Sequence, residues 1–338
     1  MFENNLAFAL GKPAATGTIK TFPDDFKVNE ILGFELNGEG EHLYLLIEKR
    51  GLNTEELVNV LARAIGKSPK IISYAGLKDR QAVTTQWLSI HCPGEEIDVS
   101  SVSGEGWRII DSKRSLKKLK TGALQGNAFT LVIRNIEGKD EVEQRLHKIN
   151  EIGVPNYFGL QRFGHNGQNL VKAKEVLLEN KKIKNRFLKG IYYSAARSYL
   201  FNLILSARVS QGNWNKALAG DVMQLGGTHS IFNVEEPDEV INKRITTFDI
   251  SPAAPLWGKG EERVTADALS SQTKAIAEYT AWMQALENHG LERAYRSMVL
   301  AVSNLKWCWE KDSLEINFDL PAGSYATSVV QELLILKD

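Results

Sequence analysis

The order of apolar and polar residues in the N-terminal part of the chain predicts a sheet of short strands. Residues 19–22 and 26–32 are strand candidates, and residues 43–47 form a compact apolar run that is typical of a buried strand. Another strand is expected at residues 85–92. Residues 127–136 alternate, and because both faces of the alternation carry apolar side chains, we expect a central strand there.

A helix is predicted between the third and fourth of these strands. Asn53 and Glu56 have the spacing of a capping box, in which each side chain satisfies a backbone N–H group at the helix start. Apolar residues then recur at helical spacing over residues 57–65. Gly66 follows them and suits the end of the helix.

The pattern becomes mainly helical from about Asp140. The helix candidates are residues 141–152, 192–208 and 270–298, with loops expected near residues 226–227 and 251–252. Strand alternation returns at residues 314–320, and a last helix is expected at residues 325–336. Patterning by itself therefore divides the chain into a mixed N-terminal domain and a helical remainder.

Composition excludes several classes of protein. The 338 residues are 43% hydrophobic and 24% charged, which is typical of a globular protein, and 41 basic residues balance 41 acidic ones. A balanced charge argues against a histone-like nucleic-acid binder, although local basic patches can still bind RNA. Cys92 and Cys308 have no metal or redox spacing, so we expect a reduced cytoplasmic compartment. The first residues predict no signal peptide, and no stretch is apolar enough to span a bilayer.

One turn carries candidate chemistry. It places Asp79 between Lys78 and Arg80, and Gly76 permits a tight backbone before them. Nearby positive charge favours the ionised form of a carboxyl group, and an ionised carboxylate on a loop held by rigid elements can act as a nucleophile or base. A charged triplet in a turn is more commonly a solvated surface feature, so the triplet alone leaves both interpretations open.

Longer strings around this turn and elsewhere resemble one protein family. Gly76 to Gln86 reads Gly-x-Lys-Asp-Arg-x-Ala-x-Thr-x-Gln, residues 156–164 read Asn-Tyr-Phe-Gly-Leu-Gln-Arg-Phe-Gly, and residues 320–327 read Leu-Pro-Ala-Gly-Ser-Tyr-Ala-Thr. Weaker matches lie at residues 11–13, 25–26, 126–129 and 194–198. Together, in this order, they resemble the signature of the TruD family of tRNA pseudouridine synthases.

The resemblance implies an α+β fold. It implies a pseudouridine synthase catalytic domain with a mixed, largely antiparallel sheet, built from both ends of the chain, and an inserted family-specific α/β domain. The implied bounds are 1–152 for the first part of the catalytic domain, 153–299 for the insert and 300–338 for the C-terminal part. A lone final strand and helix fit this arrangement, because they cannot bury a core by themselves.

The resemblance also implies the reaction. Pseudouridine formation breaks the bond between uracil N1 and ribose C1′, turns the base, and rejoins it through C5. The family's best-known target is uridine 13 of certain tRNAs, of the tRNA-Glu type, and the family nucleophile corresponds to Asp79. Gln86 lies in the same string and is expected to brace its loop. No metal or cofactor is expected, since bond breaking and bond making stay within one nucleotide.

A flipped uracil needs a binding pocket. By family motif the pocket aromatics are Phe26, Phe129 and Tyr325, which can stack on the base. Tyr325 stands where some family members have Phe. Asn127 is expected to contact the uracil edge or hold the nucleotide, and Lys20 is the expected basic partner near the active carboxylate. Without the motifs, each of these residues is more typical of a core, a turn or a solvated surface.

The expected partner is tRNA, with no membrane partner and no small-molecule cofactor, and the protein is expected to act as a monomer. Two basic clusters, at residues 113–120 and 181–189, are candidate phosphate contacts, with RNA expected between the two domains. One alternative is a noncatalytic RNA-binding protein on the same scaffold. Another is a hydrolase using Asp79, which would need a second acid/base group that the sequence does not offer.

Overall fold

The strands reproduce much of the predicted sheet. The computed structural model of the chain describes residues 6–80 and 82–337, so Gln81 of the Asp79 turn and the N-terminal residues used in the signal-peptide prediction lie outside the described residues. The strands are β1 (Thr16–Thr18), β2 (Phe26–Leu32), β3 (His42–Lys49), β4 (Ile72–Tyr74), β5 (Val83–His91), β6 (Ser103–Gly104), β7 (Trp107–Ser115), β8 (Leu124–Glu137), β9 (Val154–Pro155), β10 (Asp221–Leu225), β11 (Ile231–Val234), β12 (Ile250–Leu256), β13 (Ala294–Ser297), β14 (Val299–Leu300), β15 (Ser303–Glu310), β16 (Ser313–Pro321) and β17 (Ile335–Leu336).

The first helix begins at the predicted capping box. Asn53 Oδ1 accepts from the Glu56 N–H at 2.8 Å, and Glu56 Oε2 accepts from the Asn53 N–H at 2.9 Å. The helices are α1 (Thr54–Ala64), α2 (Lys139–Ile152), α3 (Gln168–Leu178), α4 (Arg186–Ser210), α5 (Glu239–Thr246), α6 (Ala266–Ala275), α7 (Thr280–Asn288) and α8 (Ala326–Leu333).

The chain packs into two compact units. Within the described residues, the sheet unit holds Ala15–Lys139, Ser303–Gly323 and residues 335–337. The helix-rich unit holds Asp140–Val302, Ser324–Leu334 and residues 6–14. The predicted insert, 153–299, lies wholly within the helix-rich unit, and the bounds of the three predicted domain segments stay a prediction.

A buried carboxylate explains why the N-terminal segment, α2 and α8 pack together in the helix-rich unit. Glu332, on α8, is fully buried and accepts from the N–H groups of Ala9 at 3.0 Å and Leu10 at 3.2 Å. Arg145, on α2, donates to the carbonyl oxygens of Gly11 at 3.1 Å and Glu332 at 2.9 Å. Buried polar groups need such partners, so these contacts fix all three segments to one another.

The sheet unit is built on one mixed sheet, as the fold class predicted. Its described strands run in the order β15-β16-β8-β2-β5-β3-β7-β6, with β1 beside β8 and β17, and β4 beside β5. Along the main path the described neighbours are antiparallel except β2 and β5, which are parallel. The expected mixed, largely antiparallel sheet is confirmed.

One face of this sheet is covered by α1. Leu57 and Leu61 on the helix are fully buried in one cluster with Leu45 of β3 and Leu88 of β5. Strand side chains alternate between faces, so Lys49, two positions beyond Ile47 on β3, points to the same face as Leu45. The beginning of α1 therefore lies over the end of β3, where polar residues replace the apolar ones.

The helix-rich unit contains a sheet that the residue pattern did not predict, although the family resemblance implied an α/β insert. Its four described strands run in the order β11-β10-β12-β13 and pair antiparallel. Strand β12 includes Pro252 and Pro255, which favour a loop in a sequence-based interpretation because proline cannot donate a ladder hydrogen bond. The long helix α4 supplies much of the core, including fully buried Leu200, Phe201 and Leu205.

Three predicted boundaries are wrong. The helix expected over 270–298 is split into α6 and α7 and ends at Asn288, where Gly290 takes a left-handed backbone with φ +73° that stops the helix. The strand expected at 19–22 lies instead at Thr16–Thr18. The last helix ends at Leu333, and the chain continues into β17, which pairs with β1.

Candidate active site

Asp79 lies in the loop between β4 and β5 and is exposed. The loop is anchored through its backbone by Lys49, at the end of β3. Lys49 is fully buried, and its Nζ donates to the carbonyl oxygens of Asp79 at 2.8 Å and Leu52 at 2.7 Å. The Asp79 backbone is thus fixed to the sheet while its carboxylate stays open to solvent.

Burial makes Lys49 an unusual lysine. Loss of hydration lowers its pKa to about 8, the negative charge of Asp79 opposes this change, and the positive charge of Lys78 adds to it. Lys49 is therefore charged at neutral pH and loses its proton in mildly basic solution.

The side chain of Lys78 turns inward. Its Nζ lies 2.8 Å from Glu30 Oε1 and donates to Asn127 Oδ1 at 2.8 Å, and the side chains of Lys78 and Glu30 are 9% and 0% exposed. The second oxygen of Glu30 accepts from the Trp87 N–H at 2.9 Å. Burial raises the pKa of Glu30, and the Lys78 ammonium opposes that rise. The loop before Asp79 is thus bound to both β2 and β8.

A second anchor runs through the start of α1. The Lys78 N–H donates to Thr54 Oγ1 at 2.8 Å, and Thr54 Oγ1 donates to Gln86 Oε1 at 3.1 Å. Thr54 and Gln86 are both buried. Gln86 thus braces the loop as expected of it, although indirectly, through Thr54.

The cations that flank Asp79 in sequence bind other groups. Arg80 donates to the Gly51 carbonyl oxygen and to Glu56 Oε1, both at 2.9 Å, and the Lys78 ammonium contacts Glu30 and Asn127. The described side-chain contacts of Lys78 and Arg80 are thus with groups other than the Asp79 carboxylate. That nearby positive charge keeps this carboxylate ionised stays a prediction.

A cluster of three aromatic side chains also lies in the sheet unit. Phe26, on β2, contacts Phe129, on β8, edge to face with ring centroids 6.4 Å apart, and Phe129 stacks on Phe318 of β16 at 5.4 Å. Lys20 places its Nζ 4.5 Å from the centroid of the Phe26 ring, a cation–π distance. Phe26 and Phe129 are only 7% and 8% exposed, so they form a firm floor with little free ring surface.

The strand register places the aromatic cluster beside the polar contacts of Glu30, Lys78 and Asn127. In the β2–β8 pair, Val28 is opposite Phe129 and Glu30 is opposite Asn127. Residues two apart on a strand share a face, so Asn127 and Phe129 project from the same side of the sheet. Two of the predicted uracil-contacting residues are therefore neighbours, and Asn127 is joined to the Asp79 loop through Lys78.

Tyr325 belongs to the helix-rich unit, unlike the other predicted site residues. Its hydroxyl accepts from Arg162 Nη2 at 3.0 Å, and its ring lies 6.5 Å from Phe158, edge to face. Arg162 and Phe158 both come from the second family string, so the second and third strings meet inside this unit. The structure gives Tyr325 a cationic neighbour that its motif alone did not indicate.

Sequence reasoning did not identify Glu30, Lys49 or Phe318. Glu30 carried a detectable signal, because it follows Phe26 and Val28 on the apolar face of a predicted strand. A carboxylate on such a face is uncommon unless it has a partner. Lys49 and Phe318 carried no comparable signal, since their roles depend on strands distant in sequence.

The two basic clusters differ in how many of their side chains already contact other groups of the protein. In the cluster at 113–120, Arg114 donates to the backbone oxygens of Gly40, Cys92 and Glu95, whereas the lysines are exposed. In the cluster at 181–189, Lys181 pairs with Glu175 at 2.5 Å, and Lys189 lies over the ring of Tyr193. One cluster lies in each unit.

The described residues hold neither a metal-binding cluster nor a membrane-spanning helix. No group of three or more His, Cys, Asp or Glu side chains in residues 6–80 and 82–337 could hold a metal ion. In the same ranges, no helix has the length and apolar character needed to cross a membrane.

Comparisons with known proteins identify the relatives of this chain. The family model for tRNA pseudouridine synthase D matches residues 4–182 and 166–333. The chain is 50% identical to tRNA pseudouridine synthase D of Legionella pneumophila strain Corby, covering 99% of both chains. It is 42% identical to the protein of that name from Pseudoalteromonas atlantica, covering 98% of this chain and 96% of the other.

A solved structure shows the same fold. It is described as the crystal structure of the putative tRNA pseudouridine synthase D from Methanosarcina mazei, with a TM-score of 0.75, 22% identity, and coverage of 97% of this chain and 95% of that one. At this identity the likeness establishes the α+β fold alone. The family model and the full-length relatives, taken with the anchored Asp79 loop, place this chain in the TruD family of tRNA pseudouridine synthases.

Proposed function

We propose that the protein converts uridine to pseudouridine at position 13 of tRNAs of the tRNA-Glu type, with Asp79 as the nucleophile. Membership of the family supports an isomerase that acts on tRNA. The position, the substrate tRNAs and the roles of individual residues are the further steps of this proposal.

The observation that carries the proposal is the state of Asp79. Its backbone is held by a buried ammonium, and its neighbour Lys78 is bound to buried groups, yet the carboxylate itself is exposed. A catalytic group must keep its position while remaining open to substrate. A loop that served only as a solvated turn would not need three buried polar side chains, Lys49, Glu30 and Thr54, to hold it.

The proposed reaction starts when the target uridine leaves its stack. The Asp79 carboxylate either attacks ribose C1′ as the C1′–N1 bond breaks, or takes the C2′ proton as uracil leaves, which gives a glycal-type intermediate. The freed uracil turns so that C5 faces C1′, and the C1′–C5 bond forms as the bond between C1′ and Asp79 breaks or, in the glycal route, as the proton returns to C2′. The proton on C5 is lost while N1 gains one. Atoms and electrons balance within one nucleotide, so the proposal includes no metal or cofactor.

The pocket for the turned base is proposed from Phe26, Phe129, Asn127 and Lys20 of the sheet unit. Tyr325, in the helix-rich unit, is proposed separately as a substrate-binding residue. The mutual packing of Phe26 and Phe129, with Phe318 behind, supports a rigid apolar floor. Such a floor can restrain the base without strongly favouring either orientation, which an isomerisation that turns the base requires.

Binding of the tRNA is proposed to use the basic cluster of each unit, and the protein is proposed to act as a monomer in the cytoplasm. Phosphate contacts from exposed lysines add affinity without reading sequence. They would position the tRNA, while the pocket selects the nucleotide.

The test is pseudouridine mapping of total RNA from cells with the wild-type protein, with Asp79→Asn, and with neither. The proposal expects one tRNA position to lose pseudouridine both without the protein and with Asp79→Asn. Loss of the mark without the protein but not with Asp79→Asn would remove Asp79 from the nucleophile role. A mark at another position would overturn the assignment of uridine 13.

A further inference from the structure

The hydrogen bond between Lys78 and Asn127 fixes the direction of the Asn127 amide. An ammonium group carries only donors, so the amide atom 2.8 Å from Lys78 Nζ must be the oxygen. The amide nitrogen, with its two N–H donors, then points away from Lys78. Within the described part of the chain, that nitrogen donates no hydrogen bond to another residue, and Asn127 is only half-buried.

Glu30 makes this orientation difficult to reverse. Its side chain is fully buried and holds the Lys78 ammonium at 2.8 Å, and its other oxygen is bound by the Trp87 N–H. Turning the amide over would place two N–H donors against an ammonium that cannot move away. Inside a protein such a contact is strongly unfavourable, because the low local dielectric strengthens it.

We propose that Lys78, held by Glu30, is a positioning residue that makes Asn127 a hydrogen-bond donor to a carbonyl oxygen of the target uracil. The inference rests on the proposed function, because it takes uracil as the ligand. Uracil offers acceptors at O2 and O4 and a donor at N3, and an amide fixed in this direction serves an acceptor. Asn127 shares its strand face with Phe129, so a base against that ring would meet the amide nitrogen.

The donor role can be tested by sulfur substitution. Transcripts are prepared in which the uridine that the wild-type enzyme converts is replaced by 2-thiouridine or 4-thiouridine, and binding is measured with the Asp79→Asn protein. Sulfur is a weaker acceptor than oxygen, so one of the two substitutions should weaken binding by about 3- to 10-fold. Adding Asn127→Ala should remove that penalty, and so should Asn127→Asp, which has acceptors only and leaves Lys78 and Glu30 in place.

The role of Lys78 is tested in the same assay. Lys78→Met combined with Glu30→Gln removes both charges together, which avoids stranding a buried carboxylate. With the amide free to turn, the sulfur penalty should shrink. Lys78→Leu combined with Glu30→Gln, which also carries no donor at position 78, replaces this double variant if thermal melting shows that the latter does not fold.

Each outcome decides the question. A sulfur penalty at neither position, or one that survives Asn127→Ala, overturns the donor role. A penalty that survives loss of the Lys78 ammonium in a folded variant makes Lys78 a structural residue only. A wild-type protein that converts no uridine overturns the proposed function first and this inference with it, so the two failures are distinguishable.

Discussion

Lys78 and Glu30 form an ion pair inside the sheet unit, with Nζ 2.8 Å from Oε1 and both side chains nearly or fully shielded from solvent. The pair attaches Lys78, which precedes Asp79, to strand β2. A buried pair of this kind contributes little net stability, because desolvation offsets the attraction. The role of the pair is geometric, since it holds the loop before Asp79 in place on the sheet.

Asp79→Asn should abolish isomerisation and leave tRNA affinity within about tenfold, because phosphate contacts supply most nonspecific affinity. Asparagine keeps the shape of the side chain and loses its charge. Single-turnover assays with excess enzyme and filter binding at fixed salt measure the two properties separately. Asp312→Asn, at a highly exposed position, is the matched control and should leave both unchanged. Substantial residual turnover in Asp79→Asn would contradict the nucleophile assignment.

Lys49 predicts a pH dependence of stability. Its pKa falls from 10.5 to about 8 on folding, so between these values the unfolded chain binds more protons than the folded one. The wild type should therefore gain stability relative to Lys49→Met as pH rises, by about 1 kcal/mol between pH 7.5 and 9. Urea unfolding of both proteins across that range measures the difference. The exposed Lys274→Met is the control, and its difference from wild type should stay flat.

The cluster at 181–189 should contribute to tRNA binding through its exposed members. Reversing Lys182, Lys184 and Arg186 to glutamate should weaken binding and flatten the dependence of log Kd on log salt, by about 0.7–0.9 for each phosphate that the variant no longer neutralises. Lys181 is left intact because it already pairs with Glu175. An unaltered affinity and salt slope would show that this cluster is a solvated surface.

A control for that experiment uses the same change of charge elsewhere on the helix-rich unit. Three exposed lysines outside both clusters are reversed together, namely Lys243, Lys259 and Lys274. Any general effect of net charge on tRNA attraction appears in both triple variants. A loss specific to the cluster therefore reports local phosphate contacts.

Phe26→Leu should lower the rate of isomerisation with little change in the salt dependence of binding. Leucine retains apolar volume, whereas alanine at this 7% exposed position would also cost about 3–5 kcal/mol through a cavity. The control is Phe201→Leu, a fully buried change in the helix-rich unit. For each variant the loss of isomerisation rate is compared with the loss of unfolding free energy. If this ratio is the same for both variants, Phe26 is a core residue and not a pocket residue.

Activity should survive chelation and dialysis, because the proposed chemistry is confined to one nucleotide. The tRNA is folded beforehand and held with a polyamine, so that removal of divalent ions does not alter it. Single-turnover rates before and after treatment are then compared. Restoration of a lost activity by one divalent ion, with tRNA folding unchanged, would contradict the cofactor-free proposal.

Local sequence determined the parts of this protein that depend on neighbouring residues. The capping box of Asn53 and Glu56, strand β2 and most of β8 were predictable because their signals lie within a few residues. The strings around Asp79 and Tyr325 likewise identified the family. Each of these features is written in a continuous stretch of chain, where spacing and side-chain type are enough.

Only the tertiary structure decided which side chains meet. Alternation places Glu30 on a face of β2, but it does not reveal that Asn127 lies opposite on β8 or that the Lys78 ammonium joins them. Lys49 reads as the polar end of a strand, and burial under the Asp79 loop makes it an anchor. These contacts link segments far apart in the chain, and strand pairing, which a single sequence pattern does not specify, brings them together.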